Sequence, residues 1–237
     1  MTHFSSPTFV RIGIAISLVL LVAGAFIMMQ TNYSSQENKA DPFAEVSVEY
    51  DRLQGLVDEG SLEVATLAGG CFWCMEGPFE AEEGVEQVIS GFTGGEVERP
   101  TYRQVVGGGT GHRESVQIFY DPQQITFGEL LEIYWRQIDP TDAGGQFADR
   151  GDVYTTAVYF HSEEQKDEAL RQIEELGRSG SYDAPIVTEV LPSAEFYPAE
   201  DYHQDFYVKS SEYYKRYAKG SGRLDYIEAA ERGFEEE

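Results

Sequence analysis

The stretch that decides the fold is EVATLAGGCFWCMEGPF, residues 63–79. Residues 63–67 have the composition of a short β-strand. Gly69 and Gly70 follow and let the chain turn sharply. Residues 72–82 are helix-like, although Pro78 must kink or restart that helix. The stretch therefore predicts a strand–turn–helix unit with Cys71 at the start of the helix.

Strand-like and helix-like patterns alternate beyond this stretch. Strands are predicted over residues 85–92, 114–120, 154–161 and 186–191, and helices over residues 127–138, 162–176 and 198–209. Residues 213–234 are polar and contain glycine, so they predict no regular element. We therefore expect a single two-layer domain of the α+β class, a mixed sheet packed by helices, with a long irregular C-terminal segment.

The N-terminus carries an apolar run over residues 12–29, preceded by Arg11. Its length of about 18 residues is at the lower edge of a membrane-spanning helix. Residues 23–25 (AGA) would suit the cleavage site of a signal peptide. The apolar run continues past that site over residues 26–29, which favours an uncleaved anchor. Both alternatives place the rest of the chain on the extracytoplasmic side, although Arg11 alone is a weak orientation signal.

The chain of 237 residues is predicted to have three parts. Residues 1–30 form the anchor or signal segment, residues 31–45 a polar linker, and residues 46–237 the folded domain. The folded part is long enough to bury a core without a disulfide framework.

The charge and the cysteine count exclude several classes of site. A net charge of −25 leaves no basic patch for nucleic acid and indicates a strongly solvated surface. The two cysteines, Cys71 and Cys74, cannot build a four-thiolate zinc site. A disulfide between them would close almost no loop and would add little stability. Three scattered histidines in the folded part do not indicate a metal site, so we expect none.

The segment around Cys71 supports three interpretations. Backbone N–H groups and the dipole at a helix N-terminus stabilise a thiolate and lower the pKa of a thiol there. Phe72 and Trp73 place two apolar rings beside the thiol, which suits a small apolar group such as the methyl of a thioether. A nucleophile, a Cys-x-x-Cys redox pair and a buried inert cysteine all remain open from the spacing alone.

Longer motifs surround this segment in a fixed order: AGGCFWCMEGPF (68–79), PTY (100–102), GTGHRE (109–114), YDP (120–122), DPTDAGGQFADRG (139–151) and FYPAEDYHQ (196–204). Together they resemble the A-type peptide methionine sulfoxide reductases over residues 60–220. The resemblance implies that residues 46–237 are a catalytic domain that reduces methionine S-sulfoxide, free or in proteins, to methionine. It also implies a role in the repair of oxidised proteins.

The resemblance assigns a role to each of five residues. Cys71 attacks the sulfoxide sulfur, and Glu114 protonates the oxygen, which requires burial to raise the pKa of its carboxyl group. The hydroxyls of Tyr102 and Tyr154 hydrogen-bond the sulfoxide oxygen. Asp149 positions the substrate or an ordered water.

Three further residues are expected to bind substrate. By the resemblance, Phe72 and Trp73 hold the substrate methyl group. His203 lies within a matching motif and is predicted to line the site. Like His112, it is also expected to hold nearby loops by hydrogen bonds.

The reaction leaves Cys71 as a sulfenic acid, which must be reduced. Many family members use cysteines near the C-terminus for this step, but residues 213–237 hold none, and Lys215 stands about where one is expected. Cys74 is therefore the internal candidate for the resolving cysteine. In the alternative, an external thiol attacks directly and Cys74 only packs.

No cofactor is expected beyond thioredoxin or another external thiol. The expected partners are oxidised proteins and peptides, free methionine sulfoxide, a thioredoxin-like reductant and, through residues 12–29, a membrane. We expect a monomer, either membrane-anchored with its domain extracytoplasmic or, after cleavage, secreted or periplasmic. Two other functions stay open: a thiol–disulfide oxidoreductase, which would not need Glu114, and an inactive membrane-tethered binder of oxidised methionine.

Overall fold

The computed structural model describes residues 41–235, with side chains to residue 229. The predicted anchor and residues 31–40 of the predicted linker lie outside these residues. From Pro42 onward the chain forms one compact unit. Within the described part, no helix has the length and apolar character needed to cross a membrane.

The centre of the fold is a six-stranded sheet in the order β7-β6-β1-β3-β2-β8. Its strands are β1 (Glu63–Gly69), β2 (Val85–Thr93), β3 (Arg113–Tyr120), β6 (Thr156–Phe160), β7 (Glu189–Pro192) and β8 (Phe196–Pro198). The β6–β7 pair is parallel and the others are antiparallel, so the sheet is mixed. A separate hairpin joins β4 (Gly145–Gln146) to β5 (Asp149–Arg150). The predicted α+β class is confirmed.

Helices cover this sheet. They are α1 (Ala44–Asp58), α2 (Glu76–Glu80), α3 (Tyr102–Val106), α4 (Phe127–Gln137), α5 (Glu163–Ser179), α6 (Phe206–Lys209), α7 (Ser211–Gly220) and α8 (Arg223–Glu235). Short 3₁₀ turns span Phe72–Cys74, Asp152–Tyr154 and Asp201–His203. Local sequence explains the best-predicted helix starts: Thr126 caps α4 by accepting from the Glu129 backbone N–H, and Ser162 caps α5.

The core lies on both faces of the sheet because successive strand residues point to opposite sides. On one face Leu67 and Ile118 pack with Leu131 and Tyr134 of α4. On the other face α1, which the sequence patterns did not predict, packs its Leu53 against a second cluster that includes Phe119.

The C-terminal segment differs from the prediction of an irregular chain. Residues 211–220 and 223–235 are helical, and α8 begins directly after Gly222, which has a φ of +87°. Their buried faces are narrow: within residues 211–229 the buried side chains are those of Ala218 and Arg223. A polar helix that buries so few side chains has a weak apolar period, which is why the pattern predicted no element.

The helix predicted over residues 198–209 is wrong. Residues Phe196–Pro198 instead pair with the edge of β2, where a proline is tolerated because one side of the strand is free. A 3₁₀ turn follows, and Asp205, with a φ of +52°, separates it from the short α6. Likewise, the helix predicted over residues 72–82 is a 3₁₀ turn followed by the short α2.

Glu76 ties the C-terminal part to the helix that follows the cysteines. Its fully buried carboxyl group accepts from the Ser90 hydroxyl at 2.8 Å and from the backbone N–H groups of Asp205 and Phe206 at 3.3 Å each. Burial raises the pKa of Glu76 to about 8, against the lowering effect of the Ser90 hydrogen bond. The carboxyl group is therefore mostly protonated at neutral pH.

Glu76→Gln should reduce the dependence of stability on pH. Because the folded pKa of Glu76 lies above its ordinary value of 4.5, its stabilising contribution is full below that value and is lost as pH rises through about 8. We expect the slope of the unfolding free energy between about pH 5 and about pH 8 to flatten by up to about 1.4 kcal/mol per pH unit. Denaturant titrations measure this slope. The exposed Glu83→Gln is the control, and a variant slope equal to that of the wild type would contradict the assignment.

Candidate active site

The turn after β1 places Cys71 at the start of a short helix. Gly70 has a φ of +83°, and a Cβ atom there would lie 2.7 Å from both Arg223 Nη2 and Gln146 Cβ, so the turn requires glycine. Cys71 then caps the 3₁₀ turn Phe72–Cys74, with the Cys74 N–H donating to the Cys71 carbonyl at 3.0 Å. The predicted position of Cys71 agrees with the structure, although its helix is a single 3₁₀ turn.

Glu114 lies beside this turn on β3. It is fully buried, and its Oε2 accepts a hydrogen bond from the Phe72 N–H at 3.1 Å. Burial raises the pKa of Glu114 to about 8, while the Phe72 hydrogen bond opposes the shift. A substantial fraction of this carboxyl group therefore holds a proton at neutral pH, as a general acid requires.

Tyr102 and Tyr154 come to the same place from two different elements. Tyr102 is the first residue of α3, where its N–H donates to the Glu200 carboxylate at 3.2 Å, and Tyr154 ends a 3₁₀ turn. Burial raises the pKa of both hydroxyls, and nearby charge on Glu114 and Cys71 raises it further. Both side chains are thus protonated donors that face the predicted nucleophile and acid.

An aromatic wall flanks Cys71. The buried Phe72 ring lies 6.3 Å from Tyr102 and 5.1 Å from His203, measured between ring centroids. Trp73 stacks on Phe206 at 3.8 Å, with an interplanar angle of 10°. These rings form an apolar surface beside the thiol, where the sequence predicted a pocket for a methyl group.

His203 orients Trp73. The Trp73 Nε1–H donates to His203 Nδ1 at 3.1 Å. Burial lowers the pKa of His203 to about 4, so the ring is neutral and, because Nδ1 accepts, carries its proton on Nε2. His203 therefore lies at the site as predicted and holds the indole ring in place.

His112 serves the loops, as predicted. Its Nδ1 accepts from the Gly95 N–H at 3.1 Å, and its Nε2 donates to the Val97 carbonyl at 2.8 Å. In residues 41–235 no three His, Cys, Asp or Glu side chains cluster in a way that could hold a metal ion.

The two thiols titrate differently from the prediction. Cys71 and Cys74 are both free and only 5% and 1% exposed. Burial raises the pKa of Cys71, helped by its hydrogen bond to Cys74 and the charge of Glu114, so the expected lowering of its pKa is wrong for the resting site. The physical reason is that a single 3₁₀ turn provides too little favourable charge to offset complete desolvation.

The pKa of Cys74, by contrast, is lowered. The largest cause is the interaction with the Cys71 thiol, and the positive charge of Arg223 adds to it.

Sequence reasoning did not identify Arg223, the first residue of α8. Its buried guanidinium donates to the carbonyls of Gly69 and Gln137 at 2.7 Å each and contacts Met75 Sδ at 3.5 Å. It thus lies beneath the turn that carries both cysteines. The only signal in the sequence was an arginine after the pair Gly220 and Gly222, which no motif made specific.

Sequence reasoning also did not identify Tyr217 on α7. Its hydroxyl donates a short hydrogen bond to Asp149 Oδ2 and faces the Cys71 thiol, and its ring meets Trp73 edge-on at 5.8 Å. Asp149 itself lies in the β4–β5 hairpin, close to the other predicted site residues. The available signal was the helical spacing of Tyr213 and Tyr217 in a segment predicted to be irregular.

Comparison with known proteins identifies the same family that the sequence motifs indicate. The sequence profile described as "Peptide methionine sulfoxide reductase" matches residues 63–233. A peptide methionine sulfoxide reductase MsrA of Listeria monocytogenes is 51% identical over 173 residues, which cover 73% of this chain and 98% of the relative. The MsrA of Bacillus subtilis is 52% identical over 165 residues, covering 70% of this chain and 93% of the relative.

Solved structures agree in fold. Reduced Mxr1 from Saccharomyces cerevisiae matches with a TM-score of 0.61 and 30% identity, covering 64% of this chain and 87% of Mxr1. Methionine sulfoxide reductase A of Corynebacterium diphtheriae matches with a TM-score of 0.58 and 32% identity, covering 64% of this chain and 76% of that protein. With the profile matching most of its length, the chain belongs to the peptide methionine sulfoxide reductase family.

Proposed function

We propose that the chain reduces the S epimer of methionine sulfoxide, free or in proteins, through attack of Cys71 with Glu114 as the acid. The activity is that of its family, a peptide-methionine (S)-S-oxide reductase. The observation that carries the residue assignment is the buried Glu114 carboxyl group beside the Cys71 turn, with a pKa of about 8. A sulfoxide oxygen leaves readily only once it is protonated, and this carboxyl group holds a proton where thiol chemistry needs it.

The first step transfers one oxygen atom and two electrons. The Cys71 thiolate attacks the sulfoxide sulfur while Glu114 gives its proton to the oxygen, which forms a bond between the two sulfur atoms. The hydroxyl group then passes from the substrate sulfur to the Cys71 sulfur, and the bond between the two sulfur atoms breaks with an electron pair left on the substrate. The oxygen ends on Cys71 as a sulfenic acid, so methionine is the reduced product and Cys71 the oxidised group. The hydroxyls of Tyr102 and Tyr154 donate to the oxygen while its charge develops.

Binding of the substrate rests on the aromatic wall. Phe72 and Trp73 present apolar surface to the methyl group, and stacking on Phe206 with the hydrogen bond to His203 fixes the indole plane. Hydroxyl donors for the oxygen and an apolar wall for the methyl group give the two substituents separate contacts, which is the basis for selecting one sulfoxide epimer.

We assign Cys74 as the resolving cysteine, the residue that regenerates Cys71 from its sulfenic acid. The chain contains two cysteines, so Cys74 is the one other thiol that can attack the sulfenic acid from within. The Cys71 thiol and the positive charge of Arg223 lower the pKa of Cys74, and the charge of Arg223 still favours the Cys74 thiolate after Cys71 has been oxidised. Its sulfur bonds to the Cys71 sulfur and the sulfenic oxygen leaves as water. A thioredoxin-like dithiol then reduces the disulfide by exchange.

The apolar run over residues 12–29 further supports attachment to a membrane, with the domain on the extracytoplasmic side. Oxidised proteins outside the cytoplasm would then be the substrates. A cleaved signal segment would instead yield a secreted or periplasmic form.

Cys71→Ser should abolish methionine formation from a methionine sulfoxide peptide with dithiothreitol, because no nucleophile reaches the sulfoxide. Glu114→Gln should lower the rate by about 10²- to 10⁴-fold, because the amide cannot give up a proton. Amino-acid analysis of the product measures both, with the exposed Glu83→Gln as the control. Full activity in Cys71→Ser would refute the mechanism, and full activity in Glu114→Gln would favour a plain disulfide oxidoreductase.

Cys74→Ser tests the resolving step in a single turnover without reductant. Wild-type protein should yield one methionine and one intramolecular disulfide per chain, because Cys74 condenses with the sulfenic acid. The variant should still yield one methionine, but Cys71 should remain a sulfenic acid that dimedone traps and intact mass detects. A wild-type protein that forms no disulfide and keeps a dimedone-reactive sulfenic acid, together with a variant that turns over with thioredoxin as fast as the wild type, would show that Cys74 only packs.

The intact mass of the full chain isolated from membranes tests the anchor. Because the apolar run passes the possible cleavage site, we expect a mass that includes residues 1–30 and release only by detergent. A mass lacking the first 25 or so residues, with the protein recovered without detergent, would favour the cleaved signal segment.

A further inference from the structure

Tyr217 lies between the nucleophile and the only catalytic residue without an assigned chemical step. Its hydroxyl donates to Asp149 Oδ2, and it lies close enough to the Cys71 sulfur for each group to shift the pKa of the other. Tyr217 lies on α7, beyond residue 204, where the last of the sequence motifs that indicated the family ends. Its position raises the question of how Cys71 loses its proton.

The described groups that face Cys71 leave few candidates for a base. They are Glu114 on β3, Tyr102 on α3, Tyr154 and Asp149 around the β4–β5 hairpin, Cys74 on the same turn, and Tyr214 and Tyr217 on α7. Burial raises the pKa of Tyr214 to about 12, so its hydroxyl keeps its proton. Glu114 must keep its proton for the sulfoxide oxygen, and the two pocket tyrosines act as donors. Cys74 is assigned to the later attack on the sulfenic acid, and the Cys74→Ser background of the test removes it as a base. Asp149 remains, and the group that joins it to the thiol is the Tyr217 hydroxyl.

We propose that Tyr217 is a catalytic residue that relays the Cys71 proton to Asp149. The bond between sulfur and hydrogen in Cys71 breaks as the Tyr217 oxygen takes that proton, and Tyr217 passes its own proton to the Asp149 carboxylate. Both electrons of the broken bond stay on sulfur, so the products are a thiolate, a neutral tyrosine and a neutral carboxyl group. The inference rests on the proposed role of Cys71 as nucleophile.

The relay fits the electrostatics of the site. Burial raises the pKa of Cys71, so the thiol needs a specific acceptor when substrate arrives. Burial and the charges of Cys71 and Asp149 also raise the pKa of Tyr217, so this side chain does not ionise on its own. Tyr217 instead accepts the Cys71 proton at the moment it gives its own proton to Asp149. The newly accepted proton then donates a hydrogen bond to the thiolate and stabilises it.

A purely structural role for Tyr217 predicts a different result. The ring packs edge-on against Trp73 at 5.8 Å, and this contact needs no hydroxyl. Tyr217→Phe retains the ring and removes only the atom on which the relay depends.

The test compares Tyr217→Phe with its parent in a Cys74→Ser background, where Cys71 is the sole cysteine. Two quantities are measured against pH: the rate of Cys71 alkylation by iodoacetamide and the single-turnover rate of methionine formation. We expect the alkylation profile to move to higher pH by about one unit or more. We expect the single-turnover rate at neutral pH to fall on the order of 100-fold, and the difference to shrink as the pH rises.

Tyr226→Phe on α8 is the matched control, because the hydroxyl that it removes interacts with Tyr182 and not with Cys71. It should leave both profiles unchanged. Equal profiles for Tyr217→Phe and its parent would overturn the relay, as would an equal loss of rate at every pH without a shift in alkylation. If Cys71→Ser is inactive in either of these cases, the proposed function stands and only the role of Tyr217 fails.

Discussion

The arrangement of the site depends on one buried cation. Arg223 donates hydrogen bonds to the carbonyl of Gly69 at the end of β1 and to the carbonyl of Gln137 at the end of α4. Unsatisfied buried carbonyls are costly, so the guanidinium fixes the turn from which Cys71 projects. Because these partners are neutral carbonyls, its charge is not cancelled by them and acts on Cys74. One side chain thus holds the geometry of the first cysteine and lowers the pKa of the second.

The environments of two carboxyl groups separate acid from base in the proposed mechanism. Glu114 is fully buried, and its raised pKa keeps a proton available for the sulfoxide oxygen. Asp149 is partly exposed in a hairpin and accepts a hydrogen bond from the Tyr217 hydroxyl, and the proposed relay ends on it. Groups of the same chemical type therefore perform opposite tasks because desolvation and hydrogen bonding differ between their positions.

Much of the site could be predicted from sequence, but its electrostatics could not. The strand, the glycine turn and the capped helices α4 and α5 follow from local rules, and the family motifs indicate Glu114 and Tyr102 as site residues. The C-terminal helices were missed because their few buried side chains, Arg223 among them, leave almost no apolar period. The pKa of Cys71 was misjudged because a helix start favours a thiolate, whereas the burial that opposes it depends on side chains distant in sequence.

The raised pKa of Cys71 has a consequence for an enzyme that acts on oxidised substrates. Oxidants react with thiolates, so a buried cysteine that keeps its proton resists direct oxidation until a substrate enters the pocket. In the proposed mechanism Cys74, with its lowered pKa, then captures the sulfenic acid before it is oxidised further. The opposite directions of the two pKa shifts match that order of steps, in which the first thiol waits for its substrate and the second acts once the sulfenic acid has formed.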